Sequence, residues 1–205
     1  MIKERLGSDV DAVVYRLFPF VRSLRVHPDT LTLVSFFAAW ALAEEQRFGA
    51  GLLLMVAGFF DLVDGVVARQ QGLSSSAGAF FDSSIDRLSD LMIFGGIAVA
   101  RTAAGDTGGT VLVMWAITAT VMTSYTRASA EKRLHTLKVG VMERGERFGV
   151  LIVGALTGFV LTAVFAIAVG ATITALQRVR EGRRLLRELD ATGVDPTREE
   201  VASGG

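Results

Sequence analysis

Apolar residues run along this chain in blocks longer than a strand or a soluble helix needs. Residues 107–126 carry no charge, and neither does the longer stretch from Phe148 to Gln177. A helix crosses a hydrocarbon layer about 30 Å thick with roughly 20 apolar residues, so these blocks predict membrane-crossing helices. The pattern places helices at 29–46, 49–70, 77–100 and 108–130. The stretch 142–188 is long enough for two more, breaking near Gly158. Ahead of them, residues 8–25 alternate apolar positions (Val13, Val14, Leu17, Phe18) with basic ones (Arg16, Arg22, Arg25) at helical spacing. That predicts a helix lying on the membrane surface, bent at Pro19. Pro28-Asp29-Thr30 then supplies a helix start, with proline and an acid at the positive end of the dipole. Lys3, Glu4, Arg5, Asp9 and Asp11 interrupt any apolar leader, so no cleavable signal peptide is expected.

Charge placement sets the topology. Basic residues cluster in 1–28 (five), 127–147 (six) and 178–187 (five), whereas the opposite loops hold only Arg47 and Arg101. The excess of Lys and Arg puts the three clusters in the cytoplasm, and both termini on one side require an even number of spans. The expectation is an all-α integral membrane protein of the cytoplasmic membrane, with an N-terminal interfacial helix (1–27) and six transmembrane helices. Residues 1–190 form its single domain, and the small, polar stretch 191–205 is expected to be disordered.

Composition narrows the chemistry. Of 205 residues, 51% are hydrophobic, and mean hydropathy is +0.46. Twenty-one basic residues balance 21 acidic ones, which gives no general attraction to nucleic acid. Cysteine is absent and histidine occurs twice, at His27 and His135, so a metal here would rest on carboxylates, the ligand set of Mg²⁺ or Mn²⁺.

Carboxylates do occur inside the apolar blocks. One helix reads Asp61-Leu-Val-Asp64-Gly65-Val-Val-Ala68-Arg69, and the next reads Gly78-Ala-Phe-Phe-Asp82-Ser-Ser-Ile-Asp86. Asp61 and Asp64 are i,i+3, and Asp82 and Asp86 are i,i+4, so each pair shares a helix face. The short connection between the helices makes them antiparallel neighbours, which brings four acids to one volume near the cytoplasmic end. Each acid costs about 2.5–3.5 kcal/mol in such a helix, and four like charges repel unless a cation neutralises them. One or two divalent hard cations are the simplest solution. Gly65 and Gly78 let a ligand approach the backbone, and Arg69 adds a phosphate-gripping fork. A carboxylate-based cation transporter is the alternative from another class. It predicts acids near the midplane and paired halves of the chain, and neither is found here.

The spacing Asp61-x₂-Asp64-Gly65-x₂-Ala68-Arg69-x₈-Gly78-x₃-Asp82-x₃-Asp86 resembles the signature of the CDP-alcohol phosphotransferases, with every fixed position filled. Pro28-Asp29-Thr30-Leu31-Thr32 is similar to the family's P-N-x-L-T opening, with Asp in place of the commoner Asn. The resemblance implies transfer from a CDP-linked lipid, usually CDP-diacylglycerol, to an alcohol with release of CMP, by a membrane-embedded homodimer. By position it implies Asp61, Asp64 and Asp82 as metal ligands. Asp86 would be the general base, also touching a metal, and Gly65, Ala68, Arg69 and Gly78 would line the CDP site.

The acceptor is read from the basic segments that follow. Arg144 and Arg147 stand one turn apart where a helix begins, a natural cradle for a phosphate dianion. Together with Arg127 and Lys132 they predict a phosphorylated acceptor, although Lys132, Arg133 and Lys138 serve equally as topology signals. Phe81-Asp82-Ser83-Ser84-Ile85-Asp86-Arg87 and Glu143-Arg144-x-Glu146-Arg147 look like the family branch that uses inositol phosphate. Glycerol 3-phosphate ranks second and uncharged alcohols third.

Overall fold

The computed structural model describes Gly49, residues 51–53, Met55, residues 76–195 and Thr197. Four helices fill the long continuous part: α1 (Ser76–Ala103), α2 (Thr107–Ala130), α3 (Arg144–Thr157) and α4 (Val160–Thr192). No strand occurs among the described residues. The predicted surface helix and the helix at 29–46 lie outside them. Of the predicted helix at 49–70, residues 49, 51–53 and 55 are described, all helical.

The helices run up and down, and local chemistry sets their ends. Asp106 caps α2 by accepting a hydrogen bond from the Gly109 N–H at 2.8 Å, and the α1–α2 turn is confined to residues 104–106. Gly158 stops α3 in the left-handed conformation (φ 81°), where the sequence predicts the break, and α4 restarts at Val160. A tight turn of Gly158 and Phe159 therefore joins α3 to α4. Both turns lie at one end of the bundle. The start of α1, the end of α2, the start of α3 and Arg178 of α4 meet at the other.

Packing is close because the contact faces are small. In α4 the buried stripe is Ala163, Val164, Ile167, Ala168, Ala171, Thr174 and Ala175, continuing to Arg178 and Gly182. It meets Val113 and Ala116 of α2 and Leu151 and Ala155 of α3, with Ile93, Phe94 and Ile97 of α1 completing the core. Such small-residue stripes let helix backbones approach where lipid tails offer no competing hydrophobic drive. The outer faces carry exposed Val111, Met114, Val121, Phe165, Ile173 and Leu176. Trp115 donates to Thr172 at 3.1 Å and meets the Phe165 ring edge-on.

Among the described residues, α2 and α4 are long and apolar enough to cross a membrane. α3 is not: its 14 residues reach about 21 Å, short of the roughly 30 Å hydrocarbon layer. Gly158 ends it on one side, and on the other the arginines at its start are drawn into a polar cavity. The described residues thus hold two candidate spans against the six expected, and the expected spans at 29–46 and 49–70 lie largely outside them. α4, at 33 residues or about 50 Å, exceeds the layer, so one end of it extends into water. It runs into the beginning of the stretch read as a disordered tail. Just beyond, Asp195 and Thr197 close back on the chain by accepting from the His135 N–H at 2.7 and 3.0 Å.

Residues 131–143 connect α2 to α3 and are pinned to α4. Thr174 Oγ1 accepts from the N–H groups of Val141 (3.2 Å) and Met142 (2.9 Å). Arg178 donates to the Val139 carbonyl at 2.7 Å and to the Thr123 carbonyl at the end of α2 at 2.8 Å. Leu134 and Leu137 bury themselves against Leu185, Leu186 and Leu189. Gly140 has φ +142°, and a Cβ there would stand 2.5 Å from Thr174 Cγ2, so both backbone and space require glycine.

Three substitutions test this packing in detergent. A Cβ at Gly154 would collide with Cβ of Ala163 across the α3–α4 contact, whereas one at Gly95 meets nothing within 4 Å. Gly154→Ala is expected to cost about 1–3 kcal/mol and to lower the temperature at which the monodisperse peak is lost. Gly95→Ala should leave that temperature unchanged or raise it. Thr174→Val keeps the volume but orphans two N–H groups, and should speed tryptic cleavage after exposed Lys138.

Candidate active site

Charged stretches of the four helices line a cavity of about 660 Å³. α1 contributes Ser83, Asp86, Arg87 and Asp90, and α2 contributes Thr123, Ser124, Arg127 and Ala128. Glu131 and Glu143 come from the ends of the connecting segment, Arg144 and Arg147 from α3, and Arg178 from α4.

Helix spacing makes the cluster. Positions 82, 86 and 90 follow one another at four-residue intervals along one face of α1, and positions 144 and 147 lie one turn apart on α3. α1 and α3 meet through these two rows. Arg144 Nη1 lies 2.5 Å from Asp86 Oδ1, and its Nε lies 3.8 Å from Asp90 Oδ1. Arg147 Nη2 donates to Asp90 Oδ2 at 3.0 Å. Its Nη1 donates to the Met142 carbonyl at 3.4 Å. The Arg144 guanidinium lies over the Phe148 ring, 5.2 Å from its centre, a cation–π contact.

The remaining cations are distributed around this centre. Arg127 Nε bonds Glu131 Oε1 at 2.9 Å, and the same oxygen accepts from the Leu137 N–H at 3.1 Å. Arg178, 5% exposed, faces Glu143 Oε1 at 3.7 Å. Arg87 donates back to the Ser83 carbonyl of its own helix.

The structure therefore brings together Asp86, Arg127, Arg144 and Arg147. It does not bring Lys132, which sits exposed in the turn after α2 ends at Ala130 and is absent from the cavity wall. Gly78 lies exposed in the first turn of α1, and the backbone of Asp82 falls one turn before Asp86. Asp61, Asp64, Gly65, Ala68 and Arg69 lie outside the described residues. Asp90 and Arg178 were not singled out from sequence. The signal for Asp90 was present in the 82-86-90 spacing; Arg178 sat within a cluster already explained by topology.

Oxygen donors alone line the acidic side of the cavity, with no histidine among them, which suits a hard divalent cation. Among the described residues no three such acids gather closely enough to hold a metal by themselves. A metal centre built on Asp86 would draw its further ligands from side chains outside the described ones.

Comparison with known proteins places the chain in a family. The sequence pattern of the CDP-alcohol phosphatidyltransferase family matches residues 25–176. An archaetidylinositol phosphate synthase from Pyrococcus horikoshii is 36% identical over 192 residues, covering 89% of this chain and 97% of that protein. A phosphatidylinositol phosphate synthase from Streptomyces avermitilis is 35% identical, covering 81% of this chain and 76% of that one. The fold matches that of the Mycobacterium tuberculosis phosphatidylinositol phosphate synthase crystallised with CDP-DAG bound. Its TM-score is 0.67 at 23% identity, over 87% of this chain and 94% of that one. With most of its length matched both by the family pattern and by these two curated relatives, this chain belongs to the CDP-alcohol phosphatidyltransferase family.

Proposed function

We propose that this enzyme transfers the phosphatidyl group of a CDP-linked lipid, CDP-diacylglycerol or its ether counterpart, to inositol 1-phosphate, with release of CMP. The observation that carries the acceptor is the cavity itself, where Arg127, Arg144, Arg147 and Arg178 converge beside Asp86. A phosphate dianion brings charge-assisted hydrogen bonds to this group of guanidiniums, each of which also faces a carboxylate, and an uncharged acceptor brings none. The relatives named for inositol phosphate products support the same choice on both the ester and the ether side.

Asp61, Asp64, Asp82 and Asp86 would hold the metal, Mg²⁺ or Mn²⁺ and by the family resemblance two ions. A solved structure of the same fold contains manganese. A divalent cation bound there supplies charge neutralisation of the pyrophosphate and of the departing phosphate. Gly65, Ala68, Arg69 and Gly78 would form the wall against the cytidine diphosphate.

The acceptor site is built from the described helices. Arg144, lying over Phe148 and beside Asp86, holds the acceptor's phosphate within reach of that carboxylate. Asp86 takes the proton of the acceptor hydroxyl as the hydroxyl oxygen bonds to the lipid-side phosphorus. The bond from that phosphorus to the bridging oxygen breaks, and CMP leaves with the electron pair. The enzyme works as a homodimer in the cytoplasmic membrane, its termini and cavity on the cytoplasmic side.

The test is CMP release by purified protein from CDP-diacylglycerol and from its ether analogue, with inositol 1-phosphate, glycerol 3-phosphate, inositol and serine offered separately. Release with inositol 1-phosphate alone is expected. It should be abolished by EDTA and restored by Mg²⁺ or Mn²⁺. Asp86→Asn should keep CDP-lipid binding and lose about 10²-fold or more in turnover. Release with inositol or serine at equal kcat/KM would overturn the phosphorylated-acceptor reading.

A further inference from the structure

Asp90 has no part in the transfer chemistry derived above, yet it is the most enclosed acid in the cavity. It is 8% exposed, on α1 one turn beyond Asp86, in a helix whose next turn enters the apolar core at Ile93 and Phe94. Its two oxygens serve different arginines. Oδ2 accepts from Arg147, itself 6% exposed, and Oδ1 faces Nε of Arg144.

Arg144 thus lies between two carboxylates with different duties. Asp86 must exchange its contact with Arg144 for the acceptor hydroxyl when it takes a proton. If Asp86 were the only anchor, the guanidinium would lose its place at the moment it is needed. Asp90 faces the opposite edge of the same guanidinium and, through Arg147, ties the first turn of α3 to α1. The Phe148 ring and the Met142 carbonyl complete the holder.

We propose that Asp90 is a positioning residue for the acceptor: its buried carboxylate holds Arg147 and the Nε edge of Arg144, so that Arg144 stays aimed at the acceptor phosphate while Asp86 is engaged with the hydroxyl. The inference rests on the phosphorylated-acceptor reading and adds the residue that sets its geometry. It separates the two arginines as well. Both face carboxylates, but the Arg147 side chain is 7% exposed and that of Arg144 18%, so Arg144 is the one more open to ligand.

The experiment compares KM values in the full-length protein. Asp90→Asn keeps shape and a hydrogen bond but removes the charge. It is expected to raise KM for inositol 1-phosphate about tenfold, while KM for CDP-diacylglycerol changes less than about twofold. Asp90→Leu/Arg147→Met replaces the ion pair by apolar side chains, a change that buried pairs tolerate, so it guards against misfolding of the single variant. It should show the same split. Asp90→Asn/Arg147→Met should be no worse than Arg147→Met alone, because the two residues act as one unit.

Equal increases in both KM values, an unchanged acceptor KM in the apolar pair, or multiplying effects in the double variant would each overturn the proposal. Wild-type enzyme that uses glycerol 3-phosphate instead would defeat the inositol reading alone. The same split is then required with glycerol 3-phosphate, so the two failures are distinguishable.

Discussion

A charge placed among apolar helices must find an opposite charge within hydrogen-bonding reach, because an unpaired ion in a low-dielectric interior costs several kcal/mol. That constraint organises this protein. α1 carries its acids at four-residue intervals and α3 carries its arginines one turn apart, so the two helices are locked in register by Asp86–Arg144 and Asp90–Arg147. The pairing explains why α3 begins at Arg144 and not deeper in the apolar stretch. It also explains how α1 tolerates Asp86 and Asp90 so close to a core of Ile93, Phe94 and Ile97.

The same constraint governs the segment between α2 and α3. Irregular backbone near a membrane needs partners for its polar groups, and here α4 supplies them. Thr174 and Arg178 occupy the buried stripe of α4 where alanine would otherwise continue, and each satisfies backbone atoms of residues 139–142. Arg178 also reaches the Thr123 carbonyl, so a single guanidinium ties the end of α2, the connecting segment and α4 together. Glu143 and Arg144 follow directly, and their placement in the cavity depends on this anchoring.

Much of this was readable in the residues. The charge-free blocks and Gly158 predicted helices at 77–100 and 108–130 and a break near 158, against observed helices at 76–103 and 107–130 with Gly158 at the break. Local signals of period and glycine conformation suffice for that. The end of α3 was legible from Gly158; its lock onto α1 was not, because Arg147 and its partner Asp90 lie 57 residues apart in the chain. Lys132 and Arg127 looked equivalent in a basic cluster. The end of α2 at Ala130 separates them, leaving one on the helix facing the cavity and the other in an exposed turn. Arg178 and Thr174 gain their roles from partners on the far side of α3 in the chain, which no window of sequence reveals. The acids at 61 and 64 carry the family signature, and the described helices carry Asp86, Asp90 and the arginines of the cavity.

The turns at the far end of the bundle are confined to residues 104–106 and 158–159, whereas residues 131–143 bridge the cavity end. The two ends are therefore held closed by different means. Covalent brevity holds each hairpin at the far end, and charge holds the cavity end, through Asp86–Arg144, Asp90–Arg147 and Arg178. A ligand that competes for those charges loosens the very helices it binds between, while the short turns keep each pair of helices together.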